Sequence, residues 1–335
     1  MTTVAVMGAG SWGTAFAMVL ADAGGEVTLW AKQPRLAVAI DTTHENPVYH
    51  PGLALPASVR ASADAATVLA GAHLVVLAVP AQALRGLLTG WRDLLPPSAV
   101  LVSLIKGIEL GTLQRMSQVV LQGAGVDSGR VAVVSGPNLA GEIMHRQPAA
   151  TVVACTDSGT ARRVQQACLT PYFRPYTNPD VVGTELGGAV KNVIALANGV
   201  AAGLGFGENA QASLITRGLA EMTRLGVALG ADPLTFSGLA GIGDLIATCT
   251  SSLSRNRTFG VNLGRGMTPD EATAALSQTC EGVKSCRPIL SLAVSHGVDM
   301  PIVDAVVQAV HEGLSPQDMA RALMTRDAKA EHPAG

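Results

Sequence analysis

A chain of 335 residues is longer than one hydrophobic core usually serves, so two domains of ordinary size are expected. Its 23 basic and 25 acidic residues leave a formal net charge of −2 spread along the chain, which offers no field to hold nucleic acid or an anionic lipid surface. Hydrophobic residues make up 48% and aromatic ones only 3%, so the apolar content is mostly Ala, Val and Leu set among 37 glycines, a composition for closely packed helices and parallel strands.

From Thr3 an apolar run, VAVM, breaks into Gly8-Ala9-Gly10-Ser11-Trp12-Gly13, too early for the apolar core of a signal peptide. A helix-forming stretch follows to Ala23, then a Gly24-Gly25 stop and a second strand, VTLW. Lying between strand and helix in a unit of about 30 residues, this GxGxxG marks a dinucleotide-binding turn. Gly8 suits the tight turn, Gly10 a close backbone approach to pyrophosphate, and Gly13 close packing of helix on strand, with the Ser11 and Trp12 amides facing phosphate. The second strand ends Trp30-Ala31-Lys32-Gln33-Pro34-Arg35, without the carboxylate that holds ribose hydroxyls in NAD-selective units. Lys32, with Arg35 as a second candidate, suits a 2′-phosphate, so NADP(H) and NAD(H) are the expected cofactors, with NADPH favoured. The other reading is two solvated loop cations.

Further strand-like runs lie at 74–79 (LVVLAV), 100–104 (VLVSL), 131–135 (VAVVS), 150–155 (ATVVAC) and 172–176 (YFRPY). They alternate with helical segments such as 82–95, which predicts a twisted, parallel-rich sheet with crossover helices. After Val181 the β-branched runs give way to long Ala, Leu and Gly stretches, so an α/β domain over 1–180 precedes an all-α domain over 181–326, with 327–335 a disordered tail. The most membrane-like stretch, 186–206, carries Lys191, Asn192 and Asn198 and reads as a buried helix, not an integral membrane segment. Five cysteines without CxxC spacing fit reduced thiols and a cytoplasmic location, and with no HxH or HExxH pair among seven histidines no metal site is expected.

Several polar residues stand in apolar company. Lys106 follows the strand VLVSLI and precedes Gly107, at the carboxyl edge of the sheet where open α/β folds bind ligands; an ordinary solvated lysine is the other reading. Ser135-Gly136-Pro137-Asn138 stands at the same edge after the next strand. Lys191 lies in a stretch, 186–202, that is apolar or small nearly all round. Buried there, its ammonium would have a lowered pKa and serve as a proton donor to an oxyanion; the alternative is a snorkelling lysine. Asp244, in GIGDL, either pairs with Lys191 or caps the helix that begins at Leu245. Ser254-Arg255-Asn256-Arg257 concentrates donors in one turn, which suits a phosphate monoester as well as it suits solvent.

In order along residues 4 to about 325, GAGSWGTA, LAVPAQ, IKGIE, SGPNLAGEI, ELGGAVKNVIALANG, GLAGIGDLIATC, SSLSRNRTFG and CEGV resemble the bacterial-type NAD(P)-dependent glycerol-3-phosphate dehydrogenases. The combination of IKG, SGP, a Lys-Asn pair in an apolar helix, GDL and SRN is specific to that family. The resemblance implies a Rossmann domain followed by a helical domain, and reversible reduction of dihydroxyacetone phosphate to sn-glycerol 3-phosphate for glycerophospholipid synthesis. It implies Lys191 as general acid/base, with Lys106 and Asp244 orienting the reacting end. Substrate contacts are implied at Lys106, Gly136, Asn138, Lys191, Asn192, Asp244, Ser254, Arg255 and Asn256, of which Arg255 and Asn256 take the phosphate. Cofactor contacts are implied at Gly8, Gly10, Ser11, Trp12, Gly13, Lys32, Lys106, Ala140, Arg255 and Glu281. Two positions depart from the family: Asn138, usually serine, and Cys280, usually valine or similar.

A related two-domain dehydrogenase acting on a hydroxy acid, ketopantoate or a hydroxyacyl thioester is an alternative, and Arg255-Asn256 argues against it. A nucleotide-sensing protein without turnover is another, which has no need of a lysine inside an apolar helix. A homodimer is expected as the commonest closed assembly.

Overall fold

The computed structural model describes residues 2–276 and 280–325; the tail expected over 327–335 lies outside them. Eight strands, β1 (Thr3–Met7), β2 (Glu26–Trp30), β3 (Val59–Ser62), β4 (Leu74–Leu77), β5 (Val100–Ser103), β6 (Val131–Ser135), β7 (Ala149–Ala154) and β8 (Phe173–Asn178), form one sheet in the order β3-β2-β1-β4-β5-β6-β7-β8. The central strands are continuous apolar runs because helices cover both faces: every residue of β4, β5 and β6 is buried. One face packs on Phe16, Met18, Leu20 and Phe173. The other packs on Leu84, Leu88 and Trp91, where Trp30 and Trp91 meet edge to face with ring centroids 5.1 Å apart.

The strands from β3 across to β6 are parallel. Two features go beyond the sequence expectation. The edge strand β3 (VRAS) carries no apolar run that would announce it, and β7 runs antiparallel to β6, with β8 parallel to β7. The chain reverses its direction of travel across the sheet at β1, which pairs with β2 on one side and β4 on the other. Open sheets of this kind bind ligands outside the carboxyl ends of the strands at such a switch point.

Beyond β8 the described residues contain no strand. The helix Val181–Gly203 is the axis of this half, buried from Gly183 to Ala201. It accepts the helix Arg255–Gly264 at backbone contact: a Cβ on Gly199 would strike the Arg257 carbonyl, and one on Gly260 the Leu196 carbonyl. That close approach explains why the stretch is small-residue-rich all round. The long helix is tied to the sheet half by Glu185, whose carboxylate accepts from the Ser117 amide at 2.7 Å, the Ser117 hydroxyl at 2.5 Å and Arg115 Nη1 at 2.5 Å. None of the helices in the described residues is long and apolar enough to cross a membrane, and all five cysteines are free thiols.

Candidate active site

The turn after β1 is built around Gly8, whose φ of +135° lies where side chains are rarely tolerated and where a Cβ would strike the Ala78 carbonyl beyond β4. Gly13 packs against the Gly8 carbonyl, so both glycines are required by contact. Gly10 differs: a Cβ there would meet nothing within 4 Å, so its open side faces the space at the switch point. It also opens the helix Ser11–Asp22, where no side chain caps the first-turn amides and no acidic residue occupies the first turn. Uncapped N–H groups beside open space suit a phosphate. The indole Nε1 of Trp12 is buried without a partner at the same turn.

Two residues that the sequence reading missed brace this turn. His50 Nε2 donates to the Ser11 carbonyl at 2.9 Å, and burial lowers the pKa of the ring against the pull of that hydrogen bond. Asn46 Nδ2 donates to the Ala9 carbonyl at 3.1 Å and to Thr14 Oγ1 at 2.8 Å. Both lie in an irregular segment with no periodicity to single them out. Lys32 and Arg35 are exposed just past the carboxyl end of β2, and Ala31 between strand and loop is buried.

The second cluster forms where the long helix crosses the edges of β5 and β6. Gly188 brings that helix against Ser135 and the Lys106 stem, and one turn later Lys191 points into the same place. Asp244, 1% exposed, joins the two lysines: Lys191 Nζ donates to its Oδ1 at 2.8 Å and Lys106 Nζ to its Oδ2 at 2.6 Å. Lys106 also donates to the Gly136 carbonyl at 3.1 Å, and Lys191 to Thr248 Oγ1 at 2.6 Å. Thr248 in turn donates to the Asp244 carbonyl at 2.7 Å.

Burial pulls the Lys191 pKa from 10.5 down to about 8, against the pull of Asp244 and with help from Lys106. Burial also pushes the Asp244 carboxyl upward, but the two ammonium groups outweigh it and hold it below its ordinary range. Two cations on one buried carboxylate leave a net positive site, able to give up a proton near neutrality and to stabilise developing negative charge. The capping alternative for Asp244 is corrected here: the residue opens the helix Asp244–Thr250, its side chain makes no cap, and its oxygens go to the lysines. The alternatives of a solvated Lys106 and a snorkelling Lys191 give way likewise to ion pairs. Thr248 follows Asp244 by four residues on one helix face, a spacing that makes it findable from sequence.

Around this cluster lie the other expected contacts. Ser254 caps the helix Arg255–Gly264 by accepting from the Arg257 amide at 3.2 Å, so the SRN segment is a helix N-terminus, with Arg255 exposed in its first turn. Asn256 is held on both ends of its amide: Nδ2 donates to Asn192 Oδ1 at 2.9 Å, and Oδ1 accepts from the Gly282 amide at 2.9 Å and the Cys280 thiol at 3.0 Å. Asn138 Nδ2 donates to Thr151 Oγ1 at 2.8 Å while its Oδ1 is buried without a partner. Ala140 opens the short helix Ala140–Met144 and packs on the sheet core. Glu281 opens the helix Glu281–Ser295, its Oε2 buried and unpartnered, and burial raises its carboxyl pKa. The glycine turn and Lys32 stand on the β1–β2 side, and the Lys106-Asp244-Lys191 cluster stands at β5 and β6.

Residues 3–161 match the family model described as NAD-dependent glycerol-3-phosphate dehydrogenase N-terminus, and residues 180–321 the model described as its C-terminus. A glycerol-3-phosphate dehydrogenase (NAD(P)+) of Streptomyces griseus is 64% identical over 327 residues, covering 98% of this chain and 97% of that one. One of Thermobifida fusca is 60% identical over 332 residues, covering 99% of each chain. The crystal structure of glycerol-3-phosphate dehydrogenase from Coxiella burnetii is 37% identical, with a TM-score of 0.92 over 97% of this chain and 99% of that one.

Proposed function

This chain belongs to the NAD-dependent glycerol-3-phosphate dehydrogenase family, an NAD(P)-dependent oxidoreductase, and from that premise we propose that it reduces dihydroxyacetone phosphate at C2 to sn-glycerol 3-phosphate with Lys191 as the general acid. The observation that carries the reading is the buried Asp244 carboxylate shared between Lys191 and Lys106. The nicotinamide dinucleotide, when bound, supplies the hydride, and the residues present fit it through uncapped amides after Gly10 and unpartnered polar atoms on Trp12 and Glu281. The Lys191 ammonium gives its proton to the oxygen at C2 as negative charge develops there; the neutral amine then takes a proton from solvent. In the oxidative direction the amine accepts that proton. Asp244 and Thr248 fix the ammonium in place, and Lys106 adds positive charge without having to transfer a proton.

Arg255, with the amides of its helix N-terminus, takes the substrate phosphate, and Asn256 and Asn192 hold that helix to the one bearing Lys191. Gly136 and Asn138 close the site from the β6 edge. Lys32 favours NADPH, because no carboxylate follows β2 to hold ribose hydroxyls. We place the division between dinucleotide and catalytic halves at 180/181, where β8 has ended and the long helix begins. A cytoplasmic homodimer that feeds glycerophospholipid synthesis completes the reading, supported by five free thiols and by exposed Leu234, Val294 and Met324 on the helical half. The test is the rate of NADPH and NADH oxidation with dihydroxyacetone phosphate, beside Lys191→Ala and Lys32→Ala. Turnover abolished by the first substitution, and a lowered NADPH-to-NADH ratio with the second, support the assignment; folded protein that binds NADPH and turns over neither cofactor overturns it.

A further inference from the structure

Lys106 stands on a loop and not on a strand: β5 ends at Ser103, and residues 105–110 run past the carboxyl edge of the sheet. The connection that follows β4 grips that loop. Gln82 Nε2 donates to the Ile108 carbonyl at 2.9 Å, and Gln82 Oε1 accepts from the Leu110 amide at 2.9 Å. One side-chain amide thus bonds a carbonyl and the amide two residues on, as a residue of a neighbouring parallel strand would. Beside it Ala81 packs on Gly107, where a Cβ would lie 2.9 Å from Ala81 Cβ. Three residues further on, Arg85 Nε and Nη2 donate to the Glu109 carboxylate at 2.8 and 2.7 Å.

The other end of the same connection carries Ala78, whose carbonyl a Cβ on Gly8 would strike and whose Cβ a Cβ on Gly13 would meet at 3.0 Å. Residues 78–82 therefore touch the glycine turn at one end and the Lys106 loop at the other. Lys106 Nζ reaches Asp244 Oδ2 at 2.6 Å and the Gly136 carbonyl at 3.1 Å, distances that a drift of the loop would break. A lysine stem is flexible and has no direction of its own, so the placement of its backbone decides where the ammonium rests.

We propose that Gln82 is a positioning residue for the reduction: by pairing with Ile108 and Leu110 it fixes the loop that carries Lys106 and so keeps the second ammonium on Asp244. The inference rests on the reading of Lys191 as general acid and adds a residue that acts through Lys106. Its signature is on Lys191. Burial lowers the Lys191 pKa most, Asp244 and the Cys249 thiol raise it, and the Lys106 charge lowers it further, to about 8. Release of Lys106 removes that last effect and lets Lys191 hold its proton to higher pH.

Gln82→Met keeps the length of the side chain and removes both hydrogen bonds. Two measurements on wild type and variant test the proposal, at a temperature where circular dichroism shows both folded. One is initial NADPH oxidation with saturating dihydroxyacetone phosphate from about pH 6 to 10.5. The other is acetic anhydride labelling of Lys106, whose side chain is 16% exposed, read by peptide mass spectrometry against the exposed Lys32. Loss of the clamp predicts Lys106 labelling about three- to tenfold faster relative to Lys32. It also predicts kcat lowered about ten- to a hundredfold and the falling limb moved from about 8 towards ~9. Unchanged labelling of Lys106, unchanged kcat, or a rate that drops equally at every pH with the limb in place each overturns the proposal. Wild type without a limb near 8 overturns instead the reading of Lys191, and the labelling then still decides whether Gln82 places Lys106.

Discussion

Replacing Asp244 by asparagine keeps the shape and removes the charge that both lysines share. In the wild type, burial takes Lys191 from 10.5 to about 8 while Asp244 pulls it back up. With the carboxylate gone, burial and the neighbouring Lys106 charge act unopposed. Removing an adjacent opposite charge shifts a pKa by about 1–3 units, so Lys191 in Asp244→Asn should titrate near ~6. On the proposed mechanism reduction needs the ammonium, so its rate falls as pH rises through the Lys191 pKa. At about pH 7.5 the ammonium fraction drops from roughly three quarters to roughly 3%, a ~25-fold loss worth about 2 kcal/mol of barrier. The assay is initial NADPH oxidation with saturating dihydroxyacetone phosphate from about pH 5 to 9.5, where the falling limb near 8 should move towards ~6 and the rate should recover in acid. A limb that stays put while the rate drops equally at every pH would refute the claim that Asp244 acts by setting the Lys191 proton. Because an uncompensated buried charge costs about 3–5 kcal/mol, the rates are compared at a temperature where circular dichroism shows the variant folded.

Glu221, 2% exposed, accepts from the Ile302 amide at 2.8 Å and the Val303 amide at 3.3 Å, and burial pushes its carboxyl from 4.5 up to about 7. Between those values the unfolded chain has already released the proton that the folded one keeps, so stability falls as pH rises. Glu221→Gln should therefore gain on wild type by up to about 3 kcal/mol above pH ~7, with the gain vanishing towards pH ~4.5 in melting curves; a pH-independent offset would exclude the carboxyl as the cause. Arg115→Ala leaves the buried Glu185 carboxylate without its cation and should cost about 3–5 kcal/mol in denaturant unfolding, and a coupling below ~1 kcal/mol in a cycle with Glu185→Ala would show the pair to be incidental. Arg255→Ala should raise KM for dihydroxyacetone phosphate about ten- to a hundredfold and, with NADPH saturating, leave turnover of unphosphorylated dihydroxyacetone unchanged. Equal losses on both ketones would remove Arg255 from phosphate recognition.

What was legible in the sequence follows from how locally each feature is determined. β4, β5 and β6 are buried on both faces and so appear as unbroken apolar runs, and the Gly8–Gly13 spacing is legible because both glycines sit in one strand-turn-helix unit, although the contact that requires Gly8 comes from Ala78 beyond β4. β3 has only Val59 buried and pairs on one side only, so nothing forces an apolar run there. The direction of β7 was not legible because it depends on how the chain returns after the short helix Ala140–Met144, not on the strand's own residues. His50 and Asn46 were missed because they act on the glycine turn from an irregular segment 39 and 37 residues away.

Lys191 was conspicuous alone, as a charge in a helix with no room for one, but its chemistry belongs to the pair it makes. Lys106 reaches Asp244 across 138 residues of sequence and Lys191 reaches it across 53, so the site exists only where the sheet edge and two helices meet. Gly188 admits the Ser135 and Lys106 side chains, Gly199 and Gly260 let the long helix touch the backbone of the helix Arg255–Gly264, and Glu185 pins the long helix to the sheet half at the Arg115–Ser117 segment. The long helix therefore has two tasks in one segment: its glycines set the distance of approach, and Lys191, three residues after Gly188, inherits that distance. A larger side chain at Gly188 would meet Ser135 Oγ and the Lys106 stem, so either those side chains turn away or the helix moves off them, and both disturb the contact of Lys106 with Asp244 without altering any residue of the Lys106-Asp244-Lys191 cluster.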